Sequence, residues 1–199
     1  AMSTTVISIV LGSLAAYGLA IMKSNWGNRI STFLLFSKLV PTITIMIPLY
    51  IILDKVHLLG TYVGPILAHV SVNAPFVAWL VLGFIRDIPG DLFEAGKLDG
   101  CTRMQVFWKI VFPLLSPAIG SALLLVMQYS WNELLFSMQY TNLHTYTLTV
   151  GVSRFVGAIS VDWGQSSAAA TIVMVPIIIA GFFLQKYLVS GLTAGAVKG

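Results

Sequence analysis

Long stretches without a single charge leave this chain few ways to fold. No Lys, Arg, Asp or Glu occurs between Ala1 and Met22, Thr61 and Ile85, Ile110 and Asn132, or Trp163 and Gln185. Each run exceeds the roughly 20 apolar residues that carry an α-helix across a bilayer core. A fifth segment, Ile30 to Leu53, is apolar but holds Lys38, Pro41 and Pro48. A membrane helix tolerates such breaks where neighbouring helices satisfy the freed backbone groups. The fold class read from this pattern is all-α, a polytopic helical membrane protein with five spans in this chain. Composition agrees, since 57% of residues are hydrophobic and 9% charged, against about 25% charged in soluble domains. Soluble and disordered chains are both excluded. The first run lacks the basic start of a cleavable signal peptide, and its Gly12, Ala15, Ala16 and Gly18 suit close helix packing.

Basic residues set topology, because cytoplasmic loops collect Lys and Arg. Lys23, Arg29, Arg86, Lys97, Arg103, Lys109, Lys186 and Lys198 fall on one side, Lys55 and Arg154 on the other, and Lys38 within a span. The first set is therefore cytoplasmic. Five spans with a cytoplasmic C-terminus put the start of the chain outside, and parity predicts a further helix upstream, giving six spans with both ends inside. The net charge of +4 serves topology, and nucleic acid is not expected as a partner. The single cysteine, Cys101, has no internal disulfide partner, and no Cys/His spacing suggests a metal. No repeat or linker divides the chain, which reads as one transmembrane domain over 1–199 with a cytoplasmic loop over 86–112.

That loop carries two helix-start signals. Asp91 with Glu94 and Thr102 with Gln105 both have capping-box spacing, and Gly100 between them suits the left-handed conformation that ends a helix. The expectation is a short helix, a sharp turn, and a second helix reaching the membrane at Pro113. Leu92, Phe93 and Leu98 beside the small Ala95 and Gly96 make a surface able to enter another protein's groove. The same residues, with Arg103, Trp108 and Lys109, also fit an amphipathic segment lying on lipid.

Here the spacing Glu94-Ala95, Asp99-Gly100, Ile110 and Pro113 resembles the Glu-Ala-Ala loop of permease subunits of bacterial binding-protein-dependent ABC importers. Gly96 and Cys101 stand where that family usually has alanine, and Phe112 where it usually has leucine. Ala15-Ala16-Tyr17, Pro41 with Ile47-Pro48-Leu49-Tyr50, Trp131-Asn132-Glu133 and the ending Gly191 to Gly199 are similar to the maltose-type, carbohydrate-importing branch. The match begins at what would be the family's second helix. The resemblance implies that Glu94, Ala95, Gly96, Asp99, Gly100, Ile110 and Pro113 belong to a coupling helix seated on a separate ATP-binding subunit dimer. It also implies a second permease subunit, an extracytoplasmic solute-binding protein that touches the outer loop from Ser137 to Asp162, and a carbohydrate substrate. ATP and Mg would be bound by the partner ATPase, with no cofactor in this chain, in the bacterial cytoplasmic (inner) membrane as a multi-pass protein. The tail after Leu188 would reach the ATPase as a slim, poorly helical thread; its glycines equally fit a disordered end.

Polar groups inside a membrane cost free energy, so each is a functional candidate. Gln128, Tyr129, Trp131, Asn132 and Glu133 lie roughly 27 to 35 Å along their span from Ile110 at 1.5 Å per residue, towards the outer leaflet. With Asn73 they are the candidate substrate pathway, since sugar C–H faces stack on aromatic rings and sugar hydroxyls need polar partners. Interfacial anchoring and interhelical hydrogen bonding are the competing roles for each of them. Lys38 either snorkels to the inner surface or pairs with a carboxylate or lines the path. His69 and Asn73, a turn apart, suit packing with hydrogen bonds. No HExxH, GxSxG or Walker phosphate loop occurs, so the chain is read as a non-enzyme. An ion-coupled secondary transporter is the alternative, with Lys38 and Glu133 as its ionisable groups.

Overall fold

The computed structural model describes residues 1–22, 26–155 and 162–194, with backbone alone for 184 and 186–194. Every regular element among them is helical. In chain order they are α1 (Met2–Ala20), α2 (Trp26–Ser37), α3 (Thr42–Lys55), α4 (Val63–Arg86), α5 (Gly90–Leu98), α6 (Arg103–Val106), a π turn (Phe107–Val111), α7 (Phe112–Leu114), α8 (Ser116–Asn132), α9 (Leu135–Tyr140), α10 (Leu148–Ser153) and α11 (Trp163–Ala194). Three stretches are long and apolar enough to cross a membrane alone: Met2–Ala20, Val63–Arg86 and Trp163–Phe183. Two further spans are broken. Helices α2 and α3 meet at 96°, and Arg103–Leu114 meets α8 at 78°. Counting each bent pair once gives five spans, but the straight segments expected over 30–53 and 110–132 are each two helices.

Prolines account for both breaks. Pro41 precedes α3 with φ −58° and ψ 131°, and the residue before a proline is driven out of helical geometry. Pro113 has no amide hydrogen to offer the preceding turn, and the ladder just upstream widens into the π turn. Chain direction then changes at Leu115 (ψ 1°), and Pro117 sits in the first turn of α8, where its missing donor costs nothing.

Packing holds the bundle together in two layers. One apolar cluster joins Ala16 and Tyr17 of α1, Val77, Val81 and Ile85 of α4, Val106, Phe107 and Val111 of the loop, and Ala122 and Val126 of α8. The contact of α1 with α4 is close because Gly12 has no side chain. A Cβ there would stand 2.6 Å from Val77 Cβ and 3.0 Å from the Ala74 carbonyl oxygen. The other cluster joins Leu53, Ala68, Phe136 and Tyr140 of α3, α4 and α9.

Hydrogen bonds tie down each end of the bundle. At one end the Tyr17 hydroxyl donates to the Arg103 carbonyl at 3.0 Å, and Arg86 donates to Asn28 Oδ1 at 2.7 Å. At the other, the Gly60 amide donates to the Tyr140 carbonyl, and Asn142 and Thr145 side chains donate to the Gly60 carbonyl at 3.0 Å each. The outer segment from Ser137 is therefore tied down, and it contains most of α9 and all of α10. Helix α11 continues to Ala194, which corrects the expectation of a non-helical thread after Leu188; residues 195–199 lie outside the described residues.

Candidate functional site

The loop over 86–112 is built from local backbone devices. Thr102 and Gln105 form the expected reciprocal capping box: the Gln105 amide donates to Thr102 Oγ1 at 3.3 Å and the Thr102 amide to Gln105 Oε1 at 2.8 Å. Gly100 has φ +76°. Around it the Cys101 amide donates to the Gly96 carbonyl and the Gly100 amide to the Lys97 carbonyl, both at 3.0 Å. This paired closure is the Schellman arrangement, which satisfies the last carbonyls of a helix. The expected Asp91–Glu94 capping box is absent. Helix α5 starts two residues earlier, with Pro89 at its N-cap and no side-chain bond there, so Asp91 lies within the first turn, where its charge meets the positive end of the helix dipole.

Gly96 is the buried residue of α5, turned onto the following segment; a Cβ there would meet Ile110 Cδ1 at 2.8 Å and Val106 Cγ2 at 3.0 Å. Ile110 is half-buried in the core cluster, and Pro113 is exposed in α7. The remaining surface of α5 is free of the bundle. Leu98 is 88% exposed, and Glu94, Ala95 and Asp99 are exposed with it. Phe93 turns inward, its ring 6.5 Å from that of Tyr17, so the apolar outer surface consists of Leu92 and Leu98 without Phe93. The arrangement is a rigid, capped helix fixed to the bundle along one side and presenting its other side outward.

The second group of candidates lies near the end of α8, and the structure divides it. Gln128 and Asn132 are exposed and Tyr129 is half-buried; with Leu125 and Glu133 they line one open groove. The other candidates are engaged between helices. Trp131 Nε1 donates to the Val173 carbonyl of α11 at 3.1 Å. Asn73 is 1% exposed and donates to the His69 carbonyl at 2.8 Å. Glu133 is buried, and its Oε2 accepts from His69 Nε2 at 2.9 Å. Its two oxygens also accept from the amides of Phe136 (2.9 Å) and Ser137 (3.2 Å). Glu133 thus caps α9 while His69 clamps it to α4, with Ser130 Oγ 2.7 Å from the ring's Nδ1.

Sequence reasoning placed His69 and Asn73 in packing roles, but it did not pair His69 with Glu133. The two are 64 positions apart, and a lone buried histidine carries no signal of its partner. The α9 turn and the Tyr140 hydroxyl's bond to the Met46 carbonyl at 2.6 Å were likewise hidden in what reads as a loop. Among the described residues no group of His, Cys, Asp and Glu could hold a metal ion.

A family model described as binding-protein-dependent transport system inner membrane component matches residues 8–194. The chain belongs to this family. Its relatives include the trehalose transport permease SugB of Mycobacterium tuberculosis, 34% identical over 199 residues, covering 98% of this chain and 73% of that protein. The trehalose/maltose transport permease MalG of Thermococcus litoralis is 34% identical over 197 residues, covering 98% and 71%. Among solved structures, a chain of the bacterial alginate ABC transporter, crystallised with an alginate pentasaccharide-bound periplasmic protein, superposes with TM-score 0.67 at 17% identity, covering 92% of this chain and 74% of that one. A chain of the inward-facing methionine transporter MetNI gives 0.68 at 17%, covering 94% and 91%. These two solved structures share the fold, and since one was crystallised with an oligosaccharide-bound periplasmic protein and the other is a methionine transporter, the fold alone does not choose a solute. This multi-pass chain is thus an ABC-importer permease subunit, which replaces the ion-coupled alternative.

Proposed function

We propose that this permease carries a carbohydrate, an oligosaccharide or related polyol, across the bacterial cytoplasmic (inner) membrane, forming the path together with a second permease subunit. The solute arrives on an extracytoplasmic binding protein that meets the outer segment around Tyr140 to Phe155. Energy comes from a separate ATPase dimer, which binds ATP and Mg and moves α5. The chain itself carries no cofactor and does no chemistry on its solute.

One observation carries the coupling half of this reading: α5 is closed at its C-terminal end by Gly100 at φ +76° and followed by a capped helix. A helix stiffened in this way moves as a unit when pushed. The carbohydrate half is supported by the trehalose and maltose permeases related over 98% of the chain. Gln128, Tyr129 and Asn132 would then line the path, with Glu133, Trp131 and Asn73 supporting them from behind. Glu94, Ala95 and Asp99 would face the ATPase, with Gly96, Gly100, Ile110 and Pro113 shaping the element that presents them.

The experiment is purification of the tagged permease with its operon-encoded partners, followed by ATPase and uptake measurements in proteoliposomes with trehalose, maltose and raffinose. Copurification of an ATPase subunit and sugar-stimulated turnover are the expected results. A permease that purifies alone and moves a sugar down an ion gradient would contradict the reading.

A further inference from the structure

Among the described residues, the one Lys or Arg that is not exposed sits where a surface anchor would not. Lys38 occupies the elbow between α2 and α3, and its side chain is half-buried. Its Nζ donates to Asn73 Oδ1 at 3.3 Å and lies 5.0 Å from the Phe76 ring centroid and 4.8 Å from that of Tyr129. Asn73 lies about 20 Å along α4 from Arg86, and Tyr129 about 20 Å along α8 from Ser116, at 1.5 Å per residue. A lysine snorkelling to the cytoplasmic surface would point the other way. Among the described residues no Asp or Glu pairs with Lys38, so it is not held by a carboxylate there.

An ammonium at this depth is costly unless its environment compensates it. Here two ring faces and one amide oxygen do so, and of the two rings only Tyr129 also lines the open groove with Gln128 and Asn132. A cation over the face of an aromatic ring restricts how that ring can turn. The rotamer of Asn73 is fixed in turn by its donation to the His69 carbonyl. Lys38, at the elbow of the broken span, therefore joins Asn73 of α4 to the Tyr129 ring at the groove.

We propose that Lys38 is a positioning residue of the permeation path: it sets the orientation of the Tyr129 ring and thereby tunes which carbohydrates pass. The inference rests on the reading of Gln128, Tyr129 and Asn132 as path-lining.

The test uses the complete importer with its partner subunits and binding protein, with fluorine on the Tyr129 ring read by 19F NMR and with trehalose, maltose and raffinose as transport probes. Lys38→Met removes the charge and donors while keeping an apolar stem; Lys38→Gln serves as a second neutral variant should the first assemble poorly. In both, the fluorine resonance is expected to move, and Lys38→Arg is expected to return it. The uptake ratio of trehalose to raffinose should change about fivefold in Lys38→Met, the scale set by loss of a partly desolvated cation–π contact. Tyr129→Leu should produce the same change, with no further change on adding Lys38→Met.

An unmoved resonance together with an equal loss of uptake for all three sugars would overturn the proposal and leave Lys38 a structural brace. If no sugar of the panel is imported, the carbohydrate reading fails separately, and the fluorine measurement still decides whether Lys38 orients the ring. If the ring moves but Tyr129→Leu leaves every uptake ratio unchanged, Tyr129 does not line the path and the proposal falls.

Discussion

The cytoplasmic loop and the outer half of the bundle are both fixed, but by opposite means. Around α5 and α6, apart from the Tyr17 hydroxyl's bond to the Arg103 carbonyl, the bonds are local: Thr102 with Gln105, Gly100 with Lys97, Cys101 with Gly96. Around α9 they join distant parts of the chain: His69 with Glu133, Tyr140 with the Met46 carbonyl, Asn142 with the Gly60 carbonyl. A unit closed on itself can be displaced whole, which suits an element that has to transmit motion. A unit stapled to α3, α4 and the Gly60 turn holds its neighbours in place, which suits the support of a groove.

The largest effect is expected where a long-range staple is cut. His69→Leu leaves the Glu133 carboxylate buried without its partner, a loss on the order of 3–5 kcal/mol, seen as a lower melting temperature of the purified complex. Glu133→Leu should be at least as severe, since it also uncaps α9; a melt within a degree of wild type for both would mean that the outer half is held by packing alone. Next comes the local turn. Gly100→Val forces a β-branched side chain into the left-handed region at a cost of about 1–3 kcal/mol. Insertion and melting should change little beyond that, while solute-stimulated ATPase activity is lost; Gly100→Asn, which tolerates this conformation better, should retain part of it.

Thr102→Ala is smaller, about 1 kcal/mol for one lost cap, and should appear as faster hydrogen exchange confined to α6. Smallest is Gly96→Ala. Its Cβ would meet the movable tip of Ile110 at 2.8 Å, and the gain of about 1 kcal/mol in helix propensity offsets the crowding. A large loss of stability in this variant would show that α5 sits more rigidly on Ile110 than the local account allows.

The same contrast explains what could be read in advance. Thr102, Gln105 and Gly100 announce themselves because each acts within a few residues of its own position. Asp91 misled because the capping spacing was right but Pro89 started the helix two residues sooner. The spans were legible from the uncharged runs, and Pro41 marked a place where a helix would falter, whereas Pro113 was read only as the point where the second loop helix reaches the membrane. The angles of 96° and 78° were not, because they depend on how the two halves pack. Glu133 was singled out for its charge, yet its bonds to the amides of Phe136 and Ser137 arise from the chain turning back at α9. Gln128 and Asn132 share one exposed face by helical spacing alone, whereas the inward turn of Asn73 required a neighbour to be known.

The central claim is that the free side of α5 docks on an ATPase. Leu98, 88% exposed, is the place to test it, with a cysteine at that position in a Cys101→Ser background and a matching cysteine at Leu143 in the outer segment, 68% exposed, as control. In the intact complex a thiol crosslinker should join Leu98→Cys to the ATPase subunit, with a yield that changes on adding nucleotide, and should leave Leu143→Cys unjoined. No crosslink from Leu98→Cys to the ATPase, in a complex shown to be assembled and turning over ATP, would contradict the account.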